Sequence, residues 1–135
     1  MNETADKQPP TPEEITAIYD SIILPMIQPI VQRNRTSIAR NKHALTKLFV
    51  TSTDLLLAQI VRDITDAKRV LTRQGIAVHA DPHSEGVAKY RYTCRGHDAE
   101  FELTRDKARA EISARIAKYI ADLVNVKSAT RRSQP

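Results

Sequence analysis

Residues 75–104, GIAVHADPHSEGVAKYRYTCRGHDAEFELT, are where the apolar pattern of this chain changes its period from helical to two. Ile76, Ala77, Val78, His79 and Ala80 suit a short strand, and the run Asp81-Pro82-His83-Ser84-Glu85-Gly86 is rich in turn formers. Beyond it, Ala88, Tyr90, Tyr92 and Cys94 alternate with Lys89, Arg91, Thr93 and Arg95, and Ala99, Phe101 and Leu103 alternate with Asp98, Glu100 and Glu102. Such alternation puts each set on one face of a strand. Gly96 lies between the two runs and permits a tight turn. A hairpin folded at Arg95-Gly96 sets Tyr90 opposite Phe101, and on the other face Arg91 opposite Glu100 and Lys89 opposite Glu102. Each such pair adds a few tenths to about 1 kcal/mol. A turn at Gly96-His97 would shift the partners by two and keep both faces intact. The pattern specifies a hairpin and leaves its register open.

Upstream the period is helical. Thr11 can cap, Pro12 suits a first helical position, and Glu14 completes a capping box. The apolar series Ile15, Ile18, Ile22, Ile23, Met26, Ile27, Ile30, Val31 follows, crossed by Pro25 and Pro29. Each proline removes an amide donor, and the stripe continues past both, so a kink is expected there rather than a break. Neither Pro nor Gly then occurs before Gly75. Leu45, Leu48, Phe49, Leu56, Ile60, Ile64, Ala67 and Leu71 share one face of a second helix of about 30 residues, roughly 45 Å long, ending at Gly75. That is more apolar helix face than the rest of a small domain easily covers. An oligomer seam at Leu45, Leu48, Leu56, Ile60, Ile64 and Leu71, and hence a homodimer, is one resolution. Folding of the 12–31 helix back onto the 45–71 stripe is the other.

Downstream, Thr104 can cap a closing helix whose stripe is Ala108, Ile112, Ile116, Tyr119, Ile120 and Leu123, with the Tyr90, Tyr92, Phe101, Leu103 face as its nearest partner. The expected organisation is an α+β domain over 11–125: helical over 11–75, a three-stranded antiparallel meander over 76–103, and a C-terminal amphipathic helix over 104–125. A disordered tail over 1–10 and a basic flexible tail over 126–135 flank it.

Composition limits the functions open to such a domain. The 135 residues are 41% hydrophobic and only 4% aromatic, so Ile, Leu, Val and Ala must build the core. Cys94 is the single cysteine, which rules out an intrachain disulfide and fits a reducing compartment. The N-terminus lacks a signal-like apolar core, and the uninterrupted apolar runs fall far short of the roughly 20 residues a membrane span needs. A cytoplasmic protein without a membrane partner is expected.

The net charge is +5 with a pI near 9.6, and its placement matters more than its sum. Residues 1–30 carry one Lys against five acids, whereas Ser21 to Thr53 contains no acid and gathers Arg33, Arg35, Arg40, Lys42 and Lys47. If residues 33–47 are helical, Arg33, Arg40 and Lys47 nearly align. Those five cations are the expected contact for an acidic protein or nucleic acid. The competing centre is His79, Asp81, His83, Cys94 and His97, since imidazole, carboxylate and thiolate can all ligate zinc. Cys94 shares the parity of Tyr90 and Tyr92, which favours a small core residue, and the spacing matches no established zinc motif. No phosphate loop, nucleophile elbow or dinucleotide fingerprint is present. The sequence therefore points to a non-enzymatic, cofactor-free binding protein of regulatory or adaptor type. A metal-binding or catalytic module on the histidine cluster is the alternative.

Overall fold

The computed structural model describes residues 8–81 and 87–132, with side chains as far as residue 125. Its first element, α1 (Pro12–Arg40), begins where the capping box places it: the Thr11 hydroxyl accepts from the Glu14 amide at 3.2 Å and the Glu14 carboxylate accepts from the Thr11 amide at 2.8 Å. Neither internal proline breaks the helix. Pro25 and Pro29 are four residues apart and both exposed, so the carbonyls they deprive of a donor lie toward solvent. The apolar stripe is on the other side.

α1 ends at Arg40, and α2 (Thr46–Arg73) runs back along it. The corner between them contains no Gly or Pro and is made by polar side chains. The Thr46 hydroxyl donates to the Asn41 carbonyl at 2.7 Å and accepts from the His43 amide at 2.9 Å, and His43 Nδ1 accepts from the Leu45 amide at 3.2 Å. This interrupts the continuous helix that would have aligned Arg33, Arg40 and Lys47. At the far end Gly75 takes φ +65° and the Ile76 amide returns to the Leu71 carbonyl at 2.9 Å, so Ile76 folds onto Leu71 in the core.

The meander consists of β1 (Ala77–Asp81), β2 (Ala88–Cys94) and β3 (His97–Leu103), antiparallel in that order. Arg95 and Gly96 both have positive φ, the requirement of a two-residue type I′ turn. The register follows: Tyr90 faces Phe101, Arg91 faces Glu100 and Lys89 faces Glu102. The closing helix, α3 (Arg105–Arg132), starts at Thr104, whose hydroxyl accepts from the Lys107 amide at 3.1 Å. It runs to Arg132, past the expected stop at 125.

α1 is the hub. Its Ala17 and Ile18 pack with Ala67, Leu71, Ile76 and Cys94, and its Ile23, Leu24, Ile27 and Val31 pack with Ile60 and Leu103. Ile112, Ile116 and Tyr119 of α3 join the second cluster. The aromatic sheet face was expected to meet the closing helix, but two helices share it. Tyr90 and Leu103 pack in the cluster that α3 joins, while the Phe101 ring lies tilted against Tyr19 of α1, centroids 5.0 Å apart. By length and composition α1 could span a bilayer, yet Ile18, Ile23, Leu24 and Ile27 are buried within the chain.

The proposed oligomer seam is corrected by the same packing. Ile60 and Leu71 are core residues, and Leu56 and Ile64 pack against that core. Only Leu45 and Leu48 of the six stand exposed. The helix pair satisfies most of its apolar face internally.

Candidate functional site

Burial along α1 and α2 stops abruptly. No residue from Gln32 to Gln59 is buried, so the last two turns of α1, the corner and the first half of α2 form a projecting helical tip. Leu45, Leu48 and Phe49 are 51%, 50% and 42% exposed there. Their spacing of three and four puts them on one side of the start of α2. The His43 ring stands edge-on to Phe49 at 6.0 Å and, with the Thr46 hydrogen bonds, gives the corner a defined shape.

Of the five cations singled out in the sequence, Arg33, Arg40, Lys42 and Lys47 are exposed and form no ion pair among the described residues. Arg35 is different: its guanidinium grips the Asp54 carboxylate with two hydrogen bonds, which holds Asp54 below the usual carboxylate range. Arg33 and Arg40 line one groove of about 520 Å³ on the outer side of α1, with Pro29, Gln32, Thr36, Ser37 and Asn41. Lys42 sits in the corner and Lys47 in the first turn of α2, so the five form a cluster around the tip and not a single stripe.

The histidine cluster is divided by the sheet. His79 and Asp81 pair with Arg91 and Lys89 on the outer face. Cys94 is fully buried in the core on the other face, where burial pushes its thiol pKa up, and His97 lies across the ladder from it. Among the described residues no group of three His, Cys, Asp or Glu could hold a metal ion. His83 lies outside the described residues.

Two polar features escaped the sequence reading. Glu14 is 5% exposed and receives two hydrogen bonds from Arg95, at 2.8 and 2.9 Å. Arg95 also donates to the Pro9 carbonyl at 3.1 Å, which fastens the end of the expected N-terminal tail. The Arg95 hydrogen bonds, aided by the Thr11 amide, hold the Glu14 pKa down at about 2 against the opposing effect of burial. The available signal was the spacing of Glu14 with Ala17 and Ile18, which puts its carboxylate on the core side. The second is the Tyr119 hydroxyl, which donates to Asp63 at 2.5 Å; burial and that carboxylate raise the phenol pKa well above normal. Tyr119 and Asp63 help line an apolar groove of about 550 Å³ between α2 and α3, with Leu55, Leu56, Gln59, Arg62, Asp122 and Leu123.

Fold and surface together define a small α+β protein whose long helical hairpin projects a basic, apolar tip beyond its core. The chain matches the family described as YhjD protein over residues 9–124 and belongs to that family. The match takes in all but the last turns of α3. No curated protein and no solved structure matches it.

Proposed function

We propose that this is a non-enzymatic binding protein of regulatory or adaptor type, which contacts an acidic macromolecular surface through the tip of its α1–α2 hairpin. The supporting observation is the local charge balance. Elsewhere cations either pair, as Arg95 with Glu14, Arg115 with Asp20 and Glu111, and Arg91 with Glu100, or share their helix with acids, as Arg62 and Lys68 do with Asp63 and Asp66, and Arg105 and Lys118 do with Asp106 and Asp122. At the tip, four cations form no ion pair among the described residues, in a segment whose nearest acid, Asp54, is held by Arg35, and the field they create attracts polyanions. The test is salt elution from heparin. The Arg33→Gln/Arg40→Gln/Lys47→Gln protein should elute at clearly lower salt than a control that loses three charges elsewhere, at Arg69, Arg73 and Arg109. Equal elution of the two variants would sink the reading.

A second reading, self-association, is favoured by the α2–α3 groove. Its lining combines Leu55, Leu56 and Leu123 with Arg62, Asp63 and Asp122, and Ile120 and Val124 stand exposed on the same helix as Leu123. A two-fold copy would set apolar surface on apolar surface and opposite charges together. Sedimentation equilibrium of the wild type and of Ile120→Ser/Val124→Ser checks it: a dimer that the substitutions dissociate upholds the idea, and a wild-type monomer at high concentration removes it.

A further inference from the structure

The unpaired cations at the tip surround something a purely electrostatic contact does not need. Leu45, Leu48 and Phe49 stand about half exposed in the same ten residues as Arg40, Lys42 and Lys47. They belong to neither core cluster, so the stability of the fold gives no reason for their being apolar. A nucleic-acid backbone would meet them with phosphate and leave them without an apolar partner. A second tip would cover them but would bring one set of cations against another. One acidic surface offers phosphate and hydrocarbon within a few ångströms of each other: the headgroup boundary of an anionic lipid bilayer.

We infer that the hairpin tip is a membrane-surface anchor, with Leu45, Leu48 and Phe49 entering the interface of an anionic phospholipid bilayer while Arg33, Arg40, Lys42 and Lys47 meet its headgroups. This rests on the proposed function and names the partner of that same surface. The expected lack of a membrane partner was drawn from the absence of a spanning run. Lying against a bilayer makes a different demand from crossing one. Charge complementarity carries the assignment: from Ser21 to Thr53 there is no acid to repel the membrane, and Asp54 beyond it is neutralised by Arg35. The side-chain lengths agree as well, because the stems of Lys42 and Lys47 let their ammonium groups reach headgroups while neighbouring leucines sit deeper.

The chain contains no Trp, so Phe49→Trp supplies a single reporter at the tip without removing its apolar character. Its emission should move to the blue when vesicles of phosphatidylglycerol and phosphatidylcholine are added, and should not move with phosphatidylcholine alone. In co-sedimentation, Arg33→Gln/Arg40→Gln/Lys47→Gln should weaken binding about a hundredfold, given about a factor of five for each cation near an anionic surface. Leu48→Ser/Phe49→Ser should weaken vesicle binding about tenfold or more, yet leave elution from heparin unchanged. These residues are exposed, and far-UV circular dichroism will show that the variants fold. No blue shift with anionic vesicles overturns the inference, as does vesicle binding indifferent to the Leu48 and Phe49 substitutions. Tip-dependent retention on heparin or on duplex DNA without vesicle binding would also overturn it, while leaving the broader reading of an acidic partner standing. Heparin elution indifferent to the three tip cations would remove both.

Discussion

The two ends of the α1–α2 hairpin are made from the same two helices and differ in almost everything else. At the sheet end, residues 14–31 of α1 face residues 60–71 of α2 through Ala17, Ile18, Ile23, Ile27, Ile60 and Ala67, and the acid Glu14 is sealed there by Arg95. At the tip, no residue from 32 to 59 is fully buried, Leu45, Leu48 and Phe49 stand exposed, and four cations form no ion pair among the described residues. The sheet covers one end only, and the described contacts of α3 with α2 run no farther toward the corner than Leu55. Helix length beyond what a fold needs for its core is surface held at a distance, and here that surface has a composition of its own.

The contrast can be tested by substitutions of falling expected effect. Ile60→Ala removes a fully buried side chain and should cost about 3–4 kcal/mol in a urea unfolding experiment. Leu48→Ala on the same helix should stay within about 0.5 kcal/mol of wild type. A comparable loss at both would mean that the tip is buried in the folded protein and that the two ends do not differ. Glu14→Gln should cost about 2 kcal/mol by weakening the charged hydrogen bonds to Arg95 and the capping box.

Glu14 also predicts a pH dependence with a definite sign. Its carboxyl is held at about 2 in the folded protein and titrates near the ordinary Glu value of about 4.3 when unfolded. The stability it contributes is present above the unfolded value and is lost as pH falls toward 2. Melting temperatures of wild type and Glu14→Gln should therefore converge as the pH drops through that window. Parallel curves would show that the carboxylate is not held in its charged form by Arg95. Tyr119→Phe leaves Asp63 without its hydroxyl donor and should cost about 1 kcal/mol. The smallest effect is expected at Arg35→Gln, a surface pair whose loss should not move the melting temperature measurably.

How much of this was readable beforehand varied with the physical cause. The capping box at Thr11, the Gly75 stop and the alternation through Tyr90 and Phe101 are local signals, and each element appeared where they place it. The hairpin register needed the backbone at Arg95 and Gly96, since two turns satisfied the same alternation. The corner at Asn41–Leu45 was missed because nothing in it is Gly or Pro; one threonine and one histidine make it by hydrogen bonds that leave no periodic trace. The same blind spot affected the surface reading. The five cations were visible as a run, but only the three-dimensional turn shows Arg35 spent on Asp54 and Leu45, Leu48 and Phe49 left outside. The seam was over-read for the opposite reason: periodicity shows that Ile60 and Leu71 are apolar-facing, and not that α1 already covers them.

The exposed corner at the tip has one more consequence. Lys42 sits in the corner where the chain crosses from one helix to the next, while α1 is held to the rest of the molecule by its long seam with α2 and by the Arg95–Glu14 and Arg115–Asp20 pairs. The covalent link at this point is not what keeps the two helices together. The protein thus has a ready division into two fragments, one ending near Lys42 and the other beginning there, whose reassembly on mixing would be driven by the same apolar surface that folds the intact chain.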